Sequence, residues 1–127
     1  MIKAYVDGGC NNRTKKGAYG SFAVFGKDEL IRSETFNLPA TTSNQAEYMS
    51  MIELLKYLTY NRRMKNKKVV VYSDSRLVVN QIANGWRTRE PTLKKLNRRA
   101  KGLYKGLKQN VELVWVGREN IEAVLGH

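Results

Sequence analysis

The sequence predicts an α/β protein built on one mixed sheet flanked by helices, and three observations carry that prediction. Val69-Val70-Val71-Tyr72 is a β-branched run that breaks at Ser73-Asp74-Ser75, and an apolar pattern with helical spacing begins at Leu77. That is the pattern of a buried parallel strand feeding a helix. Three shorter strand patterns precede it, joined by compact turns, which suits an antiparallel meander. The whole order is βββ-α-β-α-α-β-(α), with no repeat, linker or low-complexity segment to divide it. At 127 residues the chain is expected to form a single domain over 1–127, long enough to bury a core.

The elements follow in order. Ile2-Lys3-Ala4-Tyr5-Val6-Asp7 reads as a strand ending at Asp7, before Gly8-Gly9. Gly20 to Phe25 and Leu30 to Leu38 make two more strands, with Gly26-Lys27-Asp28-Glu29 as the hairpin between them. Asn44 and Glu47 have capping-box spacing, so a helix should start at Asn44 and run to about Tyr60. Its apolar stripe is Tyr48, Met51, Ile52, Leu55 and Leu58, with Glu47 at the margin. After the strand at Val69, a helix opened by Asp74 should stop near Gly85. Pro91 suits a first helical position, and Leu93, Leu96, Ala100, Leu103 and Leu107 recur at steps of three and four behind it. Val111 to Val116 is the last strand, and RENIEAVLGH begins a final helix. Trp115 is expected in the core, and Trp86 is expected to cap the core, with packing on a sugar as its other reading.

Charge narrows the function. Lys and Arg number 23 against 11 Asp and Glu, a formal net charge of +12. Such an excess favours a polyanionic partner, nucleic acid first and an anionic membrane surface second. No apolar run approaches the roughly 20 residues of a membrane span, so no membrane partner is expected. The single Cys10 can form no internal disulfide, which suits a reducing, cytoplasmic setting. Fourteen of the 23 cations lie in Arg62 to Lys68 and Arg87 to Lys108, a density suited to backbone phosphates.

Against this background three acids sit at element ends: Asp7, Glu47 and Asp74. A right-handed crossover would lay the strand at Val69 beside the strand at Ile2. Asp7 and Asp74 then share one sheet edge, with Glu47 above them. Each has a structural explanation, as a turn residue, a capping-box partner or an N-cap. One edge collecting all three is better explained by cations, because unpaired carboxylates at one point repel by several kcal/mol. Hard ions such as Mg²⁺ or Mn²⁺ are the expected occupants, there being no Cys/His cluster for zinc. A cationic protein with an acidic metal cradle suits phosphodiester cleavage.

YVDGGC with GAYGSFAVF, TSNQAEYMSMIELLKYL, VVVYSDSRLVVNQIANGW and VELVWVGRENIEA resemble, in order and spacing, the successive signatures of type 1 ribonuclease H. The resemblance spans nearly the whole chain and implies the ribonuclease H-like fold, a five-stranded mixed sheet with antiparallel then parallel strands. It also implies an endoribonuclease that cuts the RNA strand of RNA–DNA hybrids, leaving 5′-phosphate and 3′-hydroxyl ends. Two Mg²⁺ ions, about 4 Å apart and replaceable by Mn²⁺, would clamp the scissile phosphate. Asp7, Glu47 and Asp74 match the family's first three metal-binding carboxylates, with Asp7 bridging both ions. Cys10, Asn12, Ser43 and Asn44 match contacts to the RNA strand, and Thr42 lies near a contact to the DNA backbone. The family often has Gln at the position of Arg76, which would grip phosphate here instead of reading a base edge. Lys94, Lys95, Arg98 and Arg99 are the further candidates for binding the hybrid. RNA is distinguished through 2′-hydroxyls in the wide minor groove.

The C-terminus departs from the pattern. The family's fourth acid follows an Ala or Cys; the matching pair here is Ala123-Val124, and valine cannot ligate a metal. Glu122 or His127 are the available substitutes, and Arg118 lies nearest the family's active-site histidine. The last helix is expected to be truncated. The departure leaves an alternative open: a hybrid-binding module with weak or lost cleavage. A more distant one is an exonuclease or resolvase sharing only the acidic cradle. A monomer is expected, with dimerisation through the open C-terminal edge as the other possibility.

Overall fold

The computed structural model describes residues 1–11, 17–40 and 42–126. Ile2–Asn11 (β1), Gly17–Gly26 (β2) and Glu29–Leu38 (β3) form the antiparallel meander; Ser43–Tyr60 (α1) and a 3-10 turn at Arg62–Met64 lead to Val69–Ser73 (β4). Arg76–Ala83 (α2), Pro91–Lys105 (α3), Val111–Trp115 (β5) and Arg118–Leu125 (α4) complete the described chain. The sheet order is β3-β2-β1-β4-β5. β1 pairs antiparallel with β2 and parallel with β4, and β4 parallel with β5. The expected mixed sheet and crossover are both found.

Several boundaries differ from expectation, each for a local reason. β1 does not stop at Asp7. Its parallel pairing with β4 ends at Val6↔Ser73, while its antiparallel pairing with β2 continues from Asp7↔Ser21 to Asn11↔Gly17. The edge at Asp7 is therefore the end of β4, with β1 running on past it. The β2–β3 hairpin turns on Lys27 and Asp28, at φ 51° and 66°, two consecutive left-handed residues whose twist suits a two-residue hairpin.

Helix α1 is capped by Thr42, not Asn44. Thr42 Oγ1 accepts from the Gln45 backbone N–H at 3.2 Å. Thr42, Ser43 and Asn44 are all capable caps in a row, and Thr42-x-x-Gln45 has the capping-box spacing two residues earlier. Glu47 thereby lies past the first turn and has no capping role. Asp74 is not a cap either: Ser75 takes that position, its Oγ accepting from the Val78 N–H at 3.3 Å. Glu90 caps α3, accepting from the N–H groups of Thr92 and Leu93, with Pro91 at the first position as expected.

The core lies between the sheet and α1, α2 and α3. Phe22, Tyr48, Met51, Leu54, Leu55, Val71 and Val78 are fully buried within it. The α1 stripe read from the sequence is buried throughout. α3 packs against α1 and α2 with Leu93, Asn97 and Ala100 inward, while Lys94, Lys95, Arg98 and Arg99 are exposed. Close approach holds α1 on β1: a Cβ at Gly8 would overlap the Ala46 carbonyl. Among the described residues no helix is long and apolar enough to cross a membrane.

The two tryptophans overturn an expectation. Trp86 and Trp115 are 42% and 50% exposed. Trp115 shares the face of buried Val111 and Leu113 by alternation, but it lies at the last register of β5, where the covering core has ended. Trp86 follows Gly85, whose φ of +73° turns the chain out from α2.

Candidate metal centre and nucleic-acid face

Three elements bring the acids together. Asp7 lies on β1 one residue beyond its last β4 partner, and Asp74 one residue beyond the end of β4. Glu47 projects from α1, which the Gly8 contact holds against the sheet. A ligand oxygen from each of Asp7, Glu47 and Asp74 lies within 4.8 Å of the others. Asp7 is fully buried, while Glu47 and Asp74 are half-buried.

That convergence has an electrostatic consequence. The Glu47 carboxyl is pushed up to about 9, first by burial and then by the neighbouring Asp7 and Asp74 charges. Arg118 offsets part of the repulsion. Its Nη1 donates to Asp74 Oδ2 at 2.8 Å and lies 3.7 Å from Asp7 Oδ1. Its Nε meets Glu122 Oε1 at 3.2 Å. The bond to Asp74 chiefly, together with the surrounding carboxylates, raises the guanidinium above its ordinary value. Tyr19 stands beside the same acids, its hydroxyl raised by burial and by Asp7. Nothing in the sequence singles out Tyr19, which the structure places in β2 opposite Gly9.

The donor set suits a hard divalent cation: carboxylate oxygens only, gathered at a cost that a positive ion would offset. Of the other candidate ligands, Glu122 is exposed and paired with Arg118, outside the trio. His127 lies outside the described residues, as does Asn12 among the binding candidates. Val124 is half-buried on α4.

The binding candidates divide by place. Cys10 is half-buried on β1, three residues beyond Asp7, and Thr42, Ser43 and Asn44 are exposed at the start of α1. Arg76 is exposed at the start of α2, two residues after Asp74. Its guanidinium carbon lies 5.6 Å from the Trp86 ring centroid and 5.9 Å from that of Trp115. The Trp115 indole N–H donates to the Asp74 carbonyl at 3.2 Å. Lys94, Lys95, Arg98 and Arg99 line the solvent side of α3.

Comparison with known proteins agrees with this geometry. The family model described as RNase H matches residues 1–127. Ribonuclease H of Prosthecochloris aestuarii is 39% identical over 85 residues, a match covering 67% of this chain and 53% of that protein. Ribonuclease H of Chlorobium luteolum is 35% identical over the same length and covers 67% and 53%. The chain thus spans about half the length of the curated relatives it matches. Among solved structures, LC11-RNase H1, isolated from compost by a metagenomic approach, superposes with a TM-score of 0.84 at 25% identity, covering 99% of this chain and 91% of that one. RNase H1 of the halophilic archaeon Halobacterium salinarum gives 0.78 at 26% identity, covering 95% and 89%. LC11-RNase H1 in complex with an RNA/DNA hybrid gives 0.82 at 24% identity over 97% and 90%, a likeness of fold. With the family match running over its full length and the acidic trio at the shared sheet edge, this chain belongs to the RNase H family.

Proposed function

We propose that this protein is a divalent-metal-dependent endoribonuclease that cuts the RNA strand of RNA–DNA hybrids. The observation that carries the reading is the convergence of Asp7, Glu47 and Asp74 within 4.8 Å at one sheet edge of a family member. The hybrid bound to LC11-RNase H1 supports the choice of substrate. Asp7, Glu47 and Asp74 would hold two Mg²⁺ ions, or Mn²⁺ in their place, supplying an activated water and stabilisation of the leaving 3′ oxygen. The products would carry 5′-phosphate and 3′-hydroxyl ends.

The chain's own residues supply the rest. Arg118 offsets part of the trio's negative charge and holds Asp74 in orientation through its 2.8 Å bond. Thr42, Ser43, Asn44 and Cys10 flank the trio from α1 and β1, suited to the RNA strand and the adjoining DNA backbone. Asn12 belongs to the same contact set by sequence. The basic side of α3 draws in the phosphates. The lone Cys10 accords with a reducing, cytoplasmic setting, and the protein is taken to work as a monomer.

A second reading has its own observation. Val124 stands where the family carries a fourth acid, and Glu122 is occupied by Arg118. Both favour slow cleavage or hybrid binding alone. Labelled RNA–DNA hybrid, duplex RNA and duplex DNA, each tested with Mg²⁺ and with Mn²⁺, separate the readings. Cutting confined to the hybrid's RNA strand supports the nuclease; tight hybrid binding without products under either metal supports the binding module.

A further inference from the structure

The two tryptophans of the chain are both exposed, and both flank Arg76. Large indoles left in water without a partner are costly, and one guanidinium between two rings is restricted in its rotamers. Each neighbour is itself anchored. Trp115 is tied to the Asp74 carbonyl by its indole N–H at 3.2 Å. The Trp86 backbone N–H donates to the Asn80 carbonyl at 3.1 Å. The loop carrying Trp86 is also fastened from beneath, where Gln81 Nε2 donates to the Arg87 carbonyl at 3.0 Å. Gln81 in turn accepts from the buried Tyr48 hydroxyl, and Asn97 Nδ2 donates to that hydroxyl at 3.1 Å and to the Gln81 carbonyl at 3.2 Å. A network through α1, α2 and α3 therefore sets the position of a ledge beside a metal-cradle residue.

We propose that Arg76, held between Trp86 and Trp115, binds one backbone phosphate of the hybrid next to the bond being cut and so fixes where the cut falls. The inference rests on the hybrid reading above. A guanidinium stacked on aromatic faces keeps its planar N–H edges for acceptors in its plane, and a phosphate offers two such oxygens. Its fixed charge favours phosphate over a neutral base edge. Preorganisation by two rings reduces the entropy lost when the phosphate binds. The contact is thus expected to set register with little dependence on base sequence.

The test uses the intact chain, a short RNA–DNA hybrid with single phosphates replaced by neutral methylphosphonates, and Ca²⁺ to limit cleavage. Quenching of tryptophan fluorescence reports affinity, since both tryptophans border the proposed contact. One replacement beside the cut should weaken the wild-type chain by about tenfold, the scale of one charge-assisted contact. The same replacement should change Arg76→Ala by less than about twofold, because the two changes remove one interaction. Arg76→Lys, which keeps the charge without the planar fork, should regain part of the sensitivity. Thermal melting verifies that the variants are folded. A phosphate profile that Arg76→Ala leaves unchanged, with hybrid cleavage intact, overturns this inference alone. A wild-type chain that does not bind the hybrid overturns the functional reading and this inference with it.

Discussion

Glu47 is the residue at which burial and chemistry pull hardest against each other. At acid pH its carboxyl is neutral in both folded and unfolded chains, so charge burial is not at issue. The unfolded carboxyl ionises near its ordinary 4.5, the folded one only near about 9. Across that window the folded state holds a proton that the unfolded state has released, so stability falls as pH rises. The metal-free protein in EDTA should therefore melt at progressively lower temperature as pH is raised from about 5 to 9. Glu47→Gln should flatten that dependence and melt higher at the alkaline end. An equal slope in wild type and variant would mean that Glu47 does not carry the strain. Asp7, Glu47 and Asp74 were legible in the sequence because Asp7 precedes Gly8-Gly9, Asp74 breaks the β-branched run, and Glu47 follows the cap-forming Thr42-Ser43-Asn44. Arg118 was legible only as a neighbour of a missing histidine, because its reach across to Asp74 depends on how α4 docks.

At the scale of elements, the site depends on α1 lying close to β1. Gly8 makes that approach possible, since any Cβ there would meet backbone atoms of Ala46 and the Ser50 hydroxyl. Gly8→Ala should lower stability by about 1–3 kcal/mol, the usual cost of forcing atoms into a packed contact. By lifting Glu47 from Asp7 it should also reduce metal-dependent activity more than its stability loss explains. Chemical denaturation and a cleavage assay on the same preparation check both halves; an unchanged midpoint would show that the contact has slack. Element types and order could be read from period alone, whereas caps and edges could not. Three adjacent residues compete to cap α1, and local spacing does not rank Thr42 over Asn44. Alternation assigned Trp115 to the face of Val111 and Leu113, but it does not say where the covering helices end.

For the whole molecule, the net charge of +12 surrounds an acidic centre. Segregation is visible on α3, where Leu93, Asn97 and Ala100 face inward while Lys94, Lys95, Arg98 and Arg99 face water. If the basic surface makes roughly six phosphate contacts, hybrid affinity should fall on the order of 10³-fold between about 50 and 200 mM salt. Fluorescence titration across that range measures the slope, and a fall of less than about tenfold would mean that most of these cations stay solvated in the complex. The place of β4 beside β1 followed from the sequence because a parallel strand after an antiparallel meander has few permitted places. The ledge at Arg76 did not, because it joins the end of β5 to the loop after α2.

In the proposed function the acidic trio performs chemistry and does not hold the fold together. Its most direct test compares wild type with Asp7→Asn on labelled RNA–DNA hybrid in Mn²⁺, reading cleavage and affinity from the same samples. Products from the RNA strand should disappear in the variant while hybrid affinity stays equal or rises, since one negative charge facing the phosphates has been removed. Cleavage that persists in Asp7→Asn would rule out a catalytic role for Asp7, and affinity lost in step with cleavage would make the acid structural.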